Sequence, residues 1–383
     1  VEINVNTLTV EAGGIITADG LGYPVATGPG QGQSQTGLIG FANSGGGSHG
    51  GWGGDGRVVS GTPYGDVYQP TTSGSGGGSV GGVGGAGGGA IRIVVTNTVT
   101  LNGTISANGA DGCSCDLNSG GGGAGGSIWI RANALTGNGA ISANGGVGGY
   151  TRYNNAYGRG GGGSGGRIVL DYTTSSFSGS VQSFGGNGGQ YDNAYGGPGT
   201  IYYKLTDRLI VDNNGNNARS AALIAGDYHF DTIELKRYGH LNVLGTTSKL
   251  TLTNTNGATG DGTSALSVEG ELNTPPTFVI QNVTLDAKGK LTGATDLTIG
   301  TSLGGNAAGL VLRVGTTLHP TNKYNFNSVL VNPTGRMTLV PKNDGNTDYT
   351  DDEPFELDAV TLTVAAGGVI ESNGLGYGSE SGP

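Results

Sequence analysis

Four tracts of this chain carry so few side chains that backbone contacts alone must hold them: SGGGSHGGWGGDG (44–56), SGSGGGSVGGVGGAGGG (73–89), SGGGGAGGS (119–127) and GRGGGGSGG (158–166). Glycine lacks a Cβ, so such tracts either pack as extended, polyproline-II-like strands closer than any side chain permits, or run as loops. Neither outcome is helical, because each glycine inside a helix costs about 1 kcal/mol. The tracts alternate with β-prone phrases that return about every 36–40 residues, apart from an interval of 89 (103 − 14) between the first two lead phrases. The lead phrases are GIITADG (14–20), GTISANG (103–109), GAISANG (139–145) and SVQSFGG (180–186); the exit phrases are GGGAIRIVV (87–95), GGSIWIRA (125–132), GGRIVLDY (165–172) and PGTIYYKL (198–205). Alternation such as Ile91-Arg92-Ile93 and Ile128-Trp129-Ile130 has the period of a strand with one buried face, so each phrase reads as one edge of a rung.

A second repetition is longer. Residues 7–23 (TLTVEAGGIITADGLGY) and 361–377 (TLTVAAGGVIESNGLGY) match at 12 of 17 positions without a gap, at an offset of 354 (361 − 7). One long fixed spacing marks a tandem array, so Val1–Pro383 reads as one repeat plus the opening of the next.

Composition divides the repeat near residue 205. Residues 1–205 hold 60 of the 83 glycines, whereas 206–383 hold 19 of the 28 acidic residues and 11 of the 18 basic ones. The second part follows a template, aromatic-x-apolar-x-x-β-branched-x-apolar-x-x-x-Gly-x-apolar, at 228–241, 278–291 and 324–337, and with its glycine one place late at 355–368. Simpler rungs, SALSVEGEL (264–272) and GLVLRVGTTL (309–318), lie between them. The expectation is an all-β parallel β-helix (β-solenoid) with long glycine-rich, polyglycine-II-like insertions: a glycine-rich part over 1–205, a part with longer rungs over 206–360, and the start of the next repeat over 361–383. At ~4.8 Å per rung and roughly 20–25 residues per rung, one repeat would advance on the order of 70–85 Å.

The phrases GTISANG, GGGSGGRI, SGGGSHGG and GLGY resemble the glycine-rich repeats of very large bacterial cell-surface proteins, and the second part is similar to the β-helical shafts of filamentous-haemagglutinin and autotransporter-type adhesins. That resemblance implies an extracellular or cell-surface filament, stalk or adhesin shaft, without enzymatic activity. The implied partners are further copies of the repeat in a homo-oligomeric fibre, and surface glycans or a host or prey cell surface. Two alternatives stand beside it: an adhesive module that binds glycan or protein, and a β-helical polysaccharide-degrading enzyme or phage tailspike. A net charge of −10 with dispersed Lys and Arg argues against nucleic acid, and no stretch approaches the 18 apolar residues of a membrane-spanning helix.

Candidate sites are few. The run 343–353 gathers Asp344, Asp348, Asp351, Asp352 and Glu353 as candidate calcium ligands, and VDNNGNN (211–217) offers Asp212 with several amide oxygens. The loops GYTRYNNAYGRG (149–160) and GQYDNAYGGPG (189–199) share NAYG and present Tyr150, Tyr153, Tyr157, Tyr191 and Tyr195 for glycan or protein contact. Ser48, His49 and Asp55 carry the residue types of an acid/base triad, but in a glycine tract His49 and Trp52 read rather as pins between backbone segments. Cys113 and Cys115 are open to a local disulfide, free thiols, a metal or an intermolecular bridge.

Overall fold

The computed structural model describes residues 1–36, 42–56, 58–80, 84–115, 118–153, 156–189, 194–302, 305–341 and 354–372. Among them the regular structure is all β, apart from 3-10 geometry at Ala194 and at Lys204–Thr206. The chain forms two compact units, Val1–Ile224 with Lys236–His240, and Ala225–Leu235 with Leu241–Pro383. The compositional break at residue 205 lies inside the first.

In the first unit the exit phrases become the strands Ala90–Val95, Ser127–Thr136, Arg167–Ser175 and Thr200–Tyr203, all parallel, with Glu2–Val5 beside Ala90–Val95. Their register aligns Ile91, Ile128, Ile168 and Ile201 in one row. The lead phrases become Ile15–Thr17, Thr104–Ser106, Ala140–Ser142 and Ser180–Gln182, also parallel, aligning Ile16, Ile105, Ile141 and Val181. Inward residues of both sheets share one core containing Ile93, Ile105, Ile130, Ile141 and Leu170. Each fully buried Ile or Leu contributes about 1.5–3 kcal/mol, and a one-residue slip would turn a whole row to solvent, which fixes the register.

The glycine tracts pack as a second layer. Along 121–126 successive N–H groups donate in rotation to three neighbours: Gly121 and Ala124 to Gly78 and Ser75, Gly122 and Gly125 to Gly161 and Ser164, Gly123 and Gly126 to Ala110 and Ala107. Carbonyls of the same tract accept from three further segments, through Gly85 and Gly88, Gly47, and Gly146. A rotation of three is the periodicity of polyproline-II geometry, which has no internal hydrogen bonds and must find partners on every side. Residues 161–166 repeat the pattern, donating to Ser44 and Gly47, Ala194 and Gly197, and Gly146 and Ala143. The described parts of the tracts are thus packed extended segments, and their buried backbone groups are satisfied by one another.

The second unit is built from three parallel sheets visited in turn. One contains Asp227–Phe230, Lys249–Leu252, Glu271–Asn273 and Lys290–Thr292; the next Thr232–Lys236, Ala258–Thr259, Thr277–Gln281, Asp296–Ile299, Lys323–Val331 and Glu356–Val364; the third Leu241–Val243, Ala265–Val268, Thr284–Ala287, Ala308–Arg313, Gly335–Val340 and Val369–Glu371. Buried rows run along the stack, Leu250, Leu272 and Leu291 in the first and Leu266, Leu285, Leu310 and Met337 in the third.

The 14-residue template does not mark equivalent positions in this unit. Tyr324 pairs with Leu357, two residues past Phe355, and Phe278 aligns through Leu297 with Val329. The aromatic slot moves because the turns differ in length, while the alternation inside each strand persists. The first unit also departs from 20–25 residues per rung. Thr104, Ala140 and Ser180 align in one parallel sheet yet lie 36 (140 − 104) and 40 (180 − 140) residues apart, and most of the residues between them belong to the glycine layer.

Candidate functional site

The largest concentration of buried polar chemistry lies in the first unit, where His49 and Arg167 are both fully buried. His49 sits mid-tract, anchored by its own N–H, which donates to Ser164 Oγ at 2.9 Å. Its Nδ1 lies 2.8 Å from the Gly125 carbonyl and its Nε2 2.9 Å from Thr72 Oγ1. A carbonyl can only accept, so Nδ1 carries the proton and Nε2 accepts from the Thr72 hydroxyl. Burial, reinforced by the Arg167 charge, brings the His49 pKa down to about 3, so the ring is neutral at pH 7.

Tyr64 packs against that ring at a centroid distance of 4.8 Å, and its hydroxyl donates to Ser73 O at 2.6 Å and lies 2.8 Å from Ser75 Oγ. Burial pushes the phenol well above its ordinary pKa. The Arg167 guanidinium donates to Tyr64 O from Nε and Nη2, to Ala222 O from Nη2 at 2.9 Å, and to Thr200 Oγ1 from Nη1 at 3.2 Å. Gly65, at φ +87°, closes over the cluster: a Cβ there would meet His49 Nε2, Thr72 Oγ1 and Arg167 Nε. His49, Tyr64 and Arg167 therefore act as pegs that tie glycine strands, the covering segment near residues 64–75 and the exit strands together.

Ser48, His49 and Asp55 have separate partners. Ser48 Oγ donates to Gly61 O and accepts from Gly53 N, while Asp55 accepts from Ser60 N and pairs with Arg219. Arg219 in turn lies over the Trp52 ring at 5.0 Å. Reading His49 as a pin agrees with its bonds to Gly125 O and Thr72 Oγ1, whereas the Trp52 ring meets Arg219. Arg167 and Tyr64 were not legible as candidates; the only signal for Arg167 is a lone cation directly before the apolar run Ile168-Val169-Leu170.

Replacing Arg167 with methionine removes four donor contacts and leaves Tyr64 O, Ala222 O and Thr200 Oγ1 short of buried partners. The expected loss is about 3 kcal/mol, read as a lower urea midpoint by tryptophan fluorescence. Both tryptophans, Trp52 and Trp129, lie in this unit, so an unchanged midpoint would remove the peg role.

On exposed faces, acids stand between bases of neighbouring segments. Asp171 lies 3.6 Å from Arg131 and 2.9 Å from Lys204; Glu271 lies 3.2 Å from Lys249 and 3.0 Å from Lys290. Burial pushes Glu271 upward, but hydrogen bonds from Lys290, Thr292 and Lys249 outweigh it and hold the carboxyl below its usual range.

The candidate calcium ligands Asp344, Asp348, Asp351, Asp352 and Glu353 lie outside the described residues. Among the described residues no group of three or more His, Cys, Asp or Glu side chains could hold a metal. Asp212 accepts from Arg237 Nε at 2.9 Å and Nη2 at 2.7 Å, and Arg237 Nη1 reaches Asn214 Oδ1, so the side-chain oxygens of Asp212 and Asn214 already face a cation.

Cys113 and Cys115 form a local disulfide. Tyr150–Tyr153 and Ala156–Arg159 form an antiparallel hairpin beside it, where Tyr150 N donates to Ser114 Oγ. Tyr150 and Tyr195 are half-buried. Tyr191 and the side chains of Tyr153 and Tyr157 lie outside the described residues.

No helix among the described residues is long and apolar enough to cross a membrane. Comparison with protein-family models, with curated proteins and with solved structures finds no match.

Proposed function

We propose that this chain is a structural repeat of a very large extracellular protein, a β-solenoid whose copies stack into a filament, stalk or adhesin shaft. In this reading the glycine layer is a polyglycine-II-like bundle that stiffens the first unit. The observation that carries the proposal is the recurrence of one local structure near both ends of the chain. Leu8–Val10 and Ile15–Thr17 flank a turn with Gly13 at φ +82°; at the 354-residue offset, Glu356–Val364 and Val369–Glu371 flank a turn with Gly367 at φ +96°. Pegs that fasten backbone, and acids held between bases of neighbouring rungs, are the chemistry such a shaft requires. Electron microscopy of a chain of several joined copies should show rods with a regular axial period. Separate globular particles would overturn the reading.

A further inference from the structure

We infer that residues 2–17 and 356–371 are the same rung in consecutive copies of the chain, so the free edge of Glu356–Glu371 docks Arg92–Val95, Thr98–Leu101 and Thr104–Ser106 of the following copy. This deepens the filament reading and rests on it.

The two segments are paired on opposite edges. Glu2–Val5 and Leu8–Val10 pair with Ala90–Val95 and Thr98–Leu101, later in sequence, whereas Glu356–Val364 pairs with Lys323–Val331, earlier in sequence. Each is the terminal strand of its sheet among the described residues.

Their backbone groups can serve both edges at once. Glu356 N donates backward to Asn322 O at 2.7 Å and Ala365 N to Val331 O at 2.9 Å. At the matching positions, Val1 O accepts forward from Arg92 N at 2.8 Å, and Val10 O from Asn102 N and Gly103 N at 2.8 and 3.0 Å. Val1 corresponds to Phe355 and Val10 to Val364, so none of these groups is claimed from both edges. The turn is the same too: Gly14 N donates to Glu11 O, and Gly368 N to Ala365 O, each at 2.8 Å.

Charge and exposure point to the same occupant. Glu356 meets Lys323 at 3.0 Å, and its counterpart Glu2 meets Arg92 at 2.7 Å. A merged rung would hold this glutamate between Lys323 and the next copy's Arg92, the arrangement already present at Asp171 and Glu271. Val10 is 6% exposed, but its counterpart Val364 is 45% exposed and Leu362 is 50% exposed. Among the described residues only the later segment has no strand beyond it, and an apolar open edge is a template for one strand more.

The test joins residue 371 of one full copy directly to residue 18 of a second, so that a single rung serves both, and compares it with the 383-residue chain and with a join that keeps both rungs (383 followed by 1). Hydrogen exchange across 356–371 should slow at least 100-fold in the shared-rung chain relative to the single chain. The inference is overturned if exchange there matches the single chain, or if the shared-rung chain fails to fold while the longer join folds. Compact copies on flexible links in both joins would overturn the shared rung yet leave a filament role standing. Dissociated globules in microscopy would remove the filament role itself.

Discussion

Gly163→Ala should destabilise the first unit by about 3 kcal/mol or more, the upper part of the range for overpacking. Gly163 donates to Gly146 O at 2.9 Å and accepts from Gly186 N at 2.8 Å, so it is fixed from two sides. A Cβ would be driven into the Gly123 carbonyl and within 3.0 Å of Ala124 N, both backbone atoms. No rotamer relieves such a clash. Moving either strand breaks the rotating hydrogen bonds that tie it to its remaining neighbours, and each buried group left open costs about 1–3 kcal/mol. The expected fall in Tm is roughly 6–12 °C, given about 2–4 °C per kcal/mol for a unit of this size. Gly226→Ala is the control: its Cβ would meet only the Tyr228 side chain, at 3.5 Å or more, and should change stability by less than about 1 kcal/mol. Equal melting of both variants would show that the glycine layer is loosely packed.

What the sequence discloses depends on whether side chains label the partner. The rows Ile16, Ile105, Ile141, Val181 and Ile91, Ile128, Ile168, Ile201 were legible because alternation fixes the inward face and recurrence fixes the neighbour. The glycine layer was legible only as two alternatives. A glycine carries no label, so nothing local tells Gly122 to donate to Gly161 rather than to any other carbonyl. That choice is imposed by the isoleucine rows, which set the height at which each tract leaves the core. The second unit misled for a related reason. Its inward leucines recur, but turns of unequal length displace Phe355 by two residues from Tyr324's true partner, although the two rings still stack at 5.7 Å. Arg167 and Tyr64 escaped notice because a peg needs only one residue at one height, and a single residue makes no pattern.

Acid should unfold the first unit through His49. The ring's pKa is about 3 in the folded chain and 6.5 when unfolded, so between those values the unfolded state binds a proton that the folded state refuses. Stability therefore rises with pH across this window, is complete above about pH 6.5, and is lost as pH falls toward 3. A gap of about 3.5 pH units at 1.36 kcal/mol each gives a loss of about 5 kcal/mol by pH 3, a large share of a typical domain's stability. Protonation offers no local remedy. The Gly125 carbonyl already takes the Nδ1 proton, a second proton on Nε2 would displace the hydrogen that Thr72 donates, and the Arg167 charge lies close by. The window from pH 6.5 to 4.5 lies above the range of ordinary carboxylates, and the other histidine whose pKa burial lowers, His319, belongs to the second unit, which holds no tryptophan; the loss in the first unit there should be about 3 kcal/mol. His49→Gln should be less stable than the parent at pH 7, having lost the ring's packing against Tyr64, but its urea midpoint by tryptophan fluorescence should stay flat between pH 6.5 and 4.5. A variant that lost stability over that interval as steeply as the parent would show that other groups carry the acid response and that His49 is accessible to protons in the folded unit.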